Sequence, residues 1–140
     1  MRSPARLLSV LAVGLITSIT ANAEEAPVLN EDIEASHAER MNYPLYARLH
    51  AVEGAVVVRA ELEKDGSVRA ATAISGPRDL TADSVSNAMK WIFGRTGHGV
   101  AVIVYIFRIA GACELPCPSN WEFHPPNVVV VTIGRPLVTP

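Results

Sequence analysis

The chain has 140 residues, with 12 Lys and Arg against 14 Asp and Glu and a formal net charge of −2 at pH 7. A chain of this length is expected to form one domain. Nucleic-acid affinity comes mainly from basic residues that neutralise phosphates. A near-neutral chain without a basic cluster is therefore not expected to bind nucleic acid.

The N-terminus has the pattern of an export signal. Arg2 and Arg6 precede an apolar run over residues 7–19, and the triplet Ala-Asn-Ala follows at 21–23. This order is typical of a signal peptide, here cleaved after Ala23. The alternative is an uncleaved anchor, but a spanning helix needs about 20 apolar residues and this run is shorter. The sequence therefore predicts a periplasmic protein.

Residues 24–42 are predicted to form an acidic spacer. Residues 24–39 contain six acidic residues and no basic one, which is typical of a solvated segment. After cleavage the chain keeps 10 basic and 14 acidic residues and so a net charge of −4.

A short first helix is predicted from Tyr43 and Pro44, because proline fits the first helical turn, to Gly54, a typical stop. Its apolar stripe has helical spacing and consists of Leu45, Leu49 and Val52.

A β-hairpin follows. Residues 55–63 alternate between apolar and polar, as in a half-buried strand. Asp65 and Gly66 form the turn, because Asp-Gly tolerates the positive φ angles that a tight hairpin requires. The inward positions are predicted to be Val56, Val58, Ala60 and Leu62 on the first strand and Val68, Ala70, Thr72 and Ile74 on the second.

Gly76 and Pro77 end the hairpin, and a second helix is predicted from about Leu80 to Trp91. Its stripe is Val85, Ala88, Met89 and Ile92. Trp91 and Phe93 are expected to pack between this helix and the sheet.

The glycine-rich residues 94–99 predict a turn. The alternative, a phosphate-binding loop, has a different glycine spacing and is followed by a helix. Residues 100–109 form an apolar strand.

The C-terminal region, residues 110–140, contains the two cysteines, Cys113 and Cys117. Because an exported chain enters an oxidising compartment, a disulfide is predicted. The alternative is a metal site with His124, but structural zinc usually needs four ligands. Residues 127–133 have the β-branched content of a strand. We predict that this strand pairs with residues 100–109 and covers their edge, as a fixed cap or as a displaceable competitor.

The sequence contains no nucleophile elbow, metalloprotease helix or Walker loop. The four histidines are scattered and predict no metal site. We therefore predict no enzymatic activity, no cofactor and no small-molecule substrate.

Residues 43–109 resemble the C-terminal domain of the TonB family. The segments that carry the resemblance are Tyr43-Pro44, 53–58, 64–68, 74–77, Leu80, 88–93 and 105–108. The resemblance implies an α+β fold, in which a small antiparallel sheet (the hairpin and a later strand) has two helices on one face. The 110–140 region would add a C-terminal strand and complete the domain. The structural positions would be Tyr43, Pro44, Gly54, Asp65, Gly66, Gly76, Trp91 and Phe93.

The resemblance also implies a function in TonB-type transport. A partner segment, from an outer-membrane receptor or another envelope protein, would add a strand to the sheet by β-augmentation. The receiving edge would be Val100, Val102, Val104, Ile106 and Arg108. The alternative is a structural or self-associating periplasmic protein, with a homodimer as its simplest form.

Overall fold

The computed structural model of the protein describes residues 33–94 and 99–137. The predicted signal peptide, the first part of the acidic spacer and the centre of the glycine-rich turn lie outside these residues. The helices are α1 (Leu45–Leu49) and α2 (Arg78–Ala88). The strands are β1 (Ala35–His37), β2 (Gly54–Leu62), β3 (Val68–Ser75), β4 (Ile92–Phe93), β5 (Gly99–Cys113), β6 (Ser119–His124) and β7 (Val128–Pro136).

Five strands form the main sheet in the order β3-β2-β5-β7-β6. All neighbours are antiparallel except β5 and β7, which run parallel. The α+β class is confirmed, and the hairpin strands and the later strand β5 pair antiparallel as predicted, whereas the added C-terminal strand β7 runs parallel to β5. The reason is β6, which reverses the chain after β5. The β6–β7 hairpin then docks through its second strand, so that β7 runs in the same direction as β5.

A second sheet contains only β1 and β4. The N–H of Phe93 donates to the Gly66 carbonyl over 2.8 Å, and Ser67 forms an isolated bridge with Ile92. This hydrogen bond and this bridge hold residues 92–93 in an extended conformation. The prediction that α2 continues to Trp91 is therefore wrong, and the helix ends at Ala88.

The core lies on one face of the main sheet. Val56, Val58, Ala60 and Leu62 are buried, as predicted. They join one hydrophobic cluster with Ala47 of α1 and with Leu80 and Ala88 of α2. Because both helices bury their side chains in the same cluster, the prediction that they share one face is confirmed.

The inward face of β3 differs from the prediction. Val68 is buried, but the inward positions further along are Ala71 and Ala73 rather than Ala70, Thr72 and Ile74. The register with β2 shifts between the Leu62–Val68 and Glu61–Ala70 pairs. This bulge inserts one residue and so exchanges the two faces of the strand.

The predicted helical stripes are also wrong. Leu45 and Leu49 are 63% and 70% exposed, and the buried residue of α1 is Ala47. In α2 the buried positions are Leu80, Ser84, Asn87 and Ala88, whereas Met89 and Ile92 are exposed. On α2 the buried positions other than Leu80 are small or polar, because this helix packs closely on β2 and β3, whereas α1 contacts α2. Periodicity of large apolar residues therefore misidentified the packed face.

The disulfide between Cys113 and Cys117 is confirmed, with a Cα–Cα distance of 5.5 Å. It closes a short loop between the end of β5 and the start of β6. Among the described helices, none has the length and hydrophobicity needed to cross a membrane.

Candidate binding surfaces

The predicted receiving edge lies inside the sheet. On one side, Val104 and Ile106 pair with β2, and Arg108 follows directly after the last paired residue. On the other side, all three residues pair with β7. Val100 and Val102 pair with β2. Thus the predicted pairing of the C-terminal strand with residues 100–109 is observed from Val104 to Ile109. The chain's own β7 occupies this part of the edge.

The packing of β7 opposes its displacement. Val129, Val131 and Ile133 are almost completely buried. Burial of a side chain of this size contributes about 1.5–3 kcal/mol, so three of them approach the whole stability of a small domain. Of the two versions of the capping hypothesis, the packing favours the fixed cap.

The first outer edge of the main sheet, β3, is irregular. Its pairing with β2 shifts register twice, near Ile74 and near Arg69. Arg69 also forms ion pairs with Glu61, at 2.9 Å, and Glu63, at 3.8 Å. Bulges and charged side chains are the usual protection of an edge strand against further pairing.

The second outer edge, β6, is regular. It pairs with β7 without a register shift from Ser119–Ile133 to His124–Val128. Trp121 and Phe123 face the core, whereas Asn120, Glu122 and His124 are exposed. In the described part of the chain, no strand pairs with the outer side of β6.

Sequence analysis missed β6 because prolines surround it. A usable signal was present, since apolar and polar side chains alternate from Trp121 to His124.

The face of the sheet opposite the core is apolar at its centre. Val57, Val104 and Val128 form one row across three strands, and Ile106 pairs with Val130 in the next row. All five are partly exposed, and none belongs to the described core cluster or packs against it. This surface, named here the valine face, consists of these five residues.

A buried polar cluster connects α2 to the sheet. The side-chain oxygen of Asn87 accepts hydrogen bonds from the Trp91 indole and the Tyr105 hydroxyl, both at 2.9 Å. Its amide nitrogen donates to the carbonyls of Glu39 and Arg40 at 3.0 and 3.3 Å. The Asn87 side chain is thereby satisfied on both atoms. Burial raises the pKa of the Tyr105 hydroxyl. The cluster is a packing element, with no opening toward solvent at Tyr105.

The other predicted structural positions also have packing roles. Tyr43 is buried, donates to the Val52 carbonyl and packs edge-to-face on Phe107. Burial, with a smaller contribution from Glu53, raises the pKa of Tyr43 to about 12. Pro44 is buried and precedes α1, and Gly54 starts β2 against Pro77.

Near the hairpin turn, the Asp65 carboxylate accepts from the backbone N–H and the hydroxyl of Ser67. Trp91 and Phe93 are buried and stacked, with ring centroids 5.9 Å apart. Gly76 has φ +130°, and a side chain there would meet the Ala55 carbonyl at 2.8 Å.

An apolar groove of about 580 Å³ lies at the end of the molecule that carries the disulfide. We name it the disulfide groove. Its walls come from α1, the ends of β5 and β7, and the disulfide loop. The residues that define it are Arg48, Leu49, Ile109, Leu115, Ile133 and Arg135.

Among the described residues, no group of three His, Cys, Asp or Glu side chains is arranged to hold a metal ion. Two histidines each have one acidic neighbour: the His124 Nε2 lies 3.4 Å from the Glu122 Oε2, and the His37 Nε2 lies 3.1 Å from the Glu39 Oε2.

No protein-family model, no curated protein and no solved structure matches the chain. The function is therefore argued from the surfaces described above.

Proposed function

We propose that this protein is a periplasmic interaction module that holds a partner protein by β-augmentation in TonB-type transport. The partner would be a segment of an outer-membrane receptor or of another envelope protein. The observation that supports this proposal most directly is the regular outer edge of β6. Its backbone is the part of the described sheet best suited to accept another strand.

The contrast between the edges supports β6 rather than β3 or β5. The β5 edge is occupied by β7 over residues 104–109. The β3 edge has two bulges and the ion pairs of Arg69. In β6, the exposed side chains of Asn120, Glu122 and His124 would lie beside those of an added strand and contribute selectivity.

Photo-crosslinking in the native bacterium tests this proposal. A photoreactive residue at Glu122 on β6 is expected to capture an envelope protein, whereas the same residue at Thr72 on β3 is the matched control. Capture from both positions, or from position 72 alone, would contradict the assignment to β6.

Export is tested separately, by determining the mature N-terminus and the membrane fraction that contains the protein. A soluble periplasmic chain beginning at Glu24 is expected, and an inner-membrane chain beginning at Met1 would oppose it.

The valine face favours a second candidate function, that of a self-associating envelope protein. An apolar sheet face is commonly covered by another sheet or by a second copy. Val104→Lys at its centre would then lower the dimer fraction measured by sedimentation. Ser86→Lys, at an exposed position on α2 and so on the opposite side of the sheet, is the control. A chain that stays monomeric at high concentration would contradict this alternative.

A further inference from the structure

The disulfide groove has the size and lining of a ligand site. Its volume of about 580 Å³ falls within the roughly 300–1,000 Å³ that small-molecule pockets usually have. Its apolar lining combines the partly exposed Ile109 with the almost completely buried Ile133 and Cys117, and no hydroxyl or amide side chain is among its lining residues. The interior of the groove is thus suited to a hydrocarbon chain.

Two leucines extend this apolar surface into solvent. Leu49 and Leu115 are 70% and 71% exposed, although both line the groove. Neither is needed by the core, because α1 buries Ala47 instead and Leu115 projects from the disulfide loop. Large apolar side chains that converge around a concavity are typical of a binding site.

Two arginine residues, Arg48 and Arg135, line the same groove. Among the described residues, neither the Arg48 nor the Arg135 side chain makes an ion pair or a hydrogen bond. By contrast, Arg59 and Arg69 pair with Glu61. The groove therefore combines apolar walls with positive charge that the described residues do not neutralise.

We propose that the disulfide groove binds a single-chain amphiphile with a carboxylate head, the chemical class of the fatty acids. The hydrocarbon chain would lie along the partly exposed Ile109, between the exposed Leu49 and Leu115. The head would receive hydrogen bonds from Arg48 and Arg135, because a guanidinium matches the two oxygens of a carboxylate. A phosphate head suits the site less, since no side-chain hydroxyl or amide is present for its third oxygen.

This inference does not depend on the proposed partner-strand function. The residues that define the groove belong to α1, β5, β7 and the disulfide loop, whereas the proposed partner edge is the outer side of β6. A failure of ligand binding would therefore count against the groove alone, and a failure of partner capture would count against the β6 edge alone.

Calorimetric titration with decanoate and decanol tests the proposal, because the two ligands share a chain and differ in the charge of the head. We expect saturable binding of decanoate, weakened about tenfold by each of Arg48→Gln and Arg135→Gln as a charge-assisted hydrogen bond is lost. Binding of decanol should change little in these variants. Arg78→Gln, at an exposed arginine on α2, is the matched control and should bind decanoate like the wild type.

Leu115→Ser tests the contribution of the ligand's hydrocarbon chain separately from that of its carboxylate head. It should weaken both ligands, and its melting temperature should stay near the wild-type value because Leu115 is exposed. Equal affinity for decanoate and decanol would overturn the carboxylate assignment. Absence of saturable decanoate binding, or binding that neither arginine substitution alters, would overturn the site.

Discussion

The two ends of the main sheet use their residues in opposite ways. Between the centre of the sheet and the hairpin turn, the polar groups of Asn87, Trp91 and Tyr105 bond to one another and the space is filled by aromatic rings. At the disulfide end, Leu49 and Leu115 are exposed and two arginine side chains lack described partners. The first end is built for stability. The second leaves apolar surface and charge exposed, at little benefit to the fold, as the proposed ligand site requires.

The largest difference between the ends should appear at Gly66. Its φ is +90°, and a Cβ there would lie 1.9 Å from the Phe93 carbonyl oxygen. Gly66→Ala should lower the free energy of unfolding by about 3 kcal/mol or more, from backbone strain and overpacking. Urea denaturation measures the change. Gly94→Ala is the control, because a Cβ there meets nothing within 4 Å. Similar losses in both variants would show that the close contact between position 66 and the Phe93 carbonyl is not the cause of the loss.

Asn87→Ala should give the next largest effect. It leaves the buried Trp91 and Tyr105 donors without their acceptor. Each unsatisfied buried group costs about 1–3 kcal/mol, so a loss of at least about 2 kcal/mol is expected for the two donors. Ser86→Ala, at an exposed position of the same helix, is the control. A loss below about 1 kcal/mol would mean that water replaces the missing acceptor.

Replacing both Cys113 and Cys117 with serine should cost less stability. The chain-entropy model gives about 2 kcal/mol for so short a loop. Since this loop carries Leu115 on the wall of the disulfide groove, decanoate binding should fall as well. Wild-type protein with and without reductant provides the comparison in urea denaturation and calorimetry. Full affinity in the reduced protein would show that the loop does not shape the groove.

Alkaline pH should affect the packed tyrosines. The folded-state pKa of Tyr43 is raised to about 12, and that of Tyr105 is raised by burial. An unfolded tyrosine releases its proton near pH 10. Between pH 10 and 12 the unfolded state therefore binds fewer protons, so stability is complete below about pH 10 and falls as the pH rises. Tyr43→Phe should make this decline less steep. Denaturation at several pH values measures the slope, and an unchanged slope would contradict the assignment to Tyr43.

The sequence predicted those parts of the fold that depend on local pattern. The Asp65-Gly66 turn and the inward positions of β2 are correct because a two-residue alternation and a positive-φ turn are short-range properties. The β3 face was wrong from Ala70 onward because a single inserted residue reverses the alternation. The stripe of α1 was wrong because the helix turns Ala47, and not its leucines, into the core cluster. Tertiary contacts decide which face of a strand or helix is buried in these cases, and the periodicity of the sequence carries no information about those contacts.

The candidate surfaces were harder to predict for the same reason. The pairing of residues 127–133 with β5 followed from two adjacent, very hydrophobic segments. The outer position of β6 and the meeting of Arg48 with Arg135 at one groove depend on topology, since these arginines are distant in sequence. Of the apolar stripe predicted for α1, Leu49 lies at the disulfide groove, where it is exposed rather than packed.

The smallest effect on stability should come from the two arginines of the disulfide groove. Arg48 and Arg135 line one groove with like charge and have no described partner. Their replacement with glutamine should change the free energy of unfolding by less than about 0.5 kcal/mol, as at other surface positions. Any change should be a gain at low salt that disappears at high salt, because screening removes like-charge repulsion. Denaturation of the double variant at two salt concentrations measures this. A clear loss of stability would mean that these arginines support the fold, and the contrast between the two ends would then be lost.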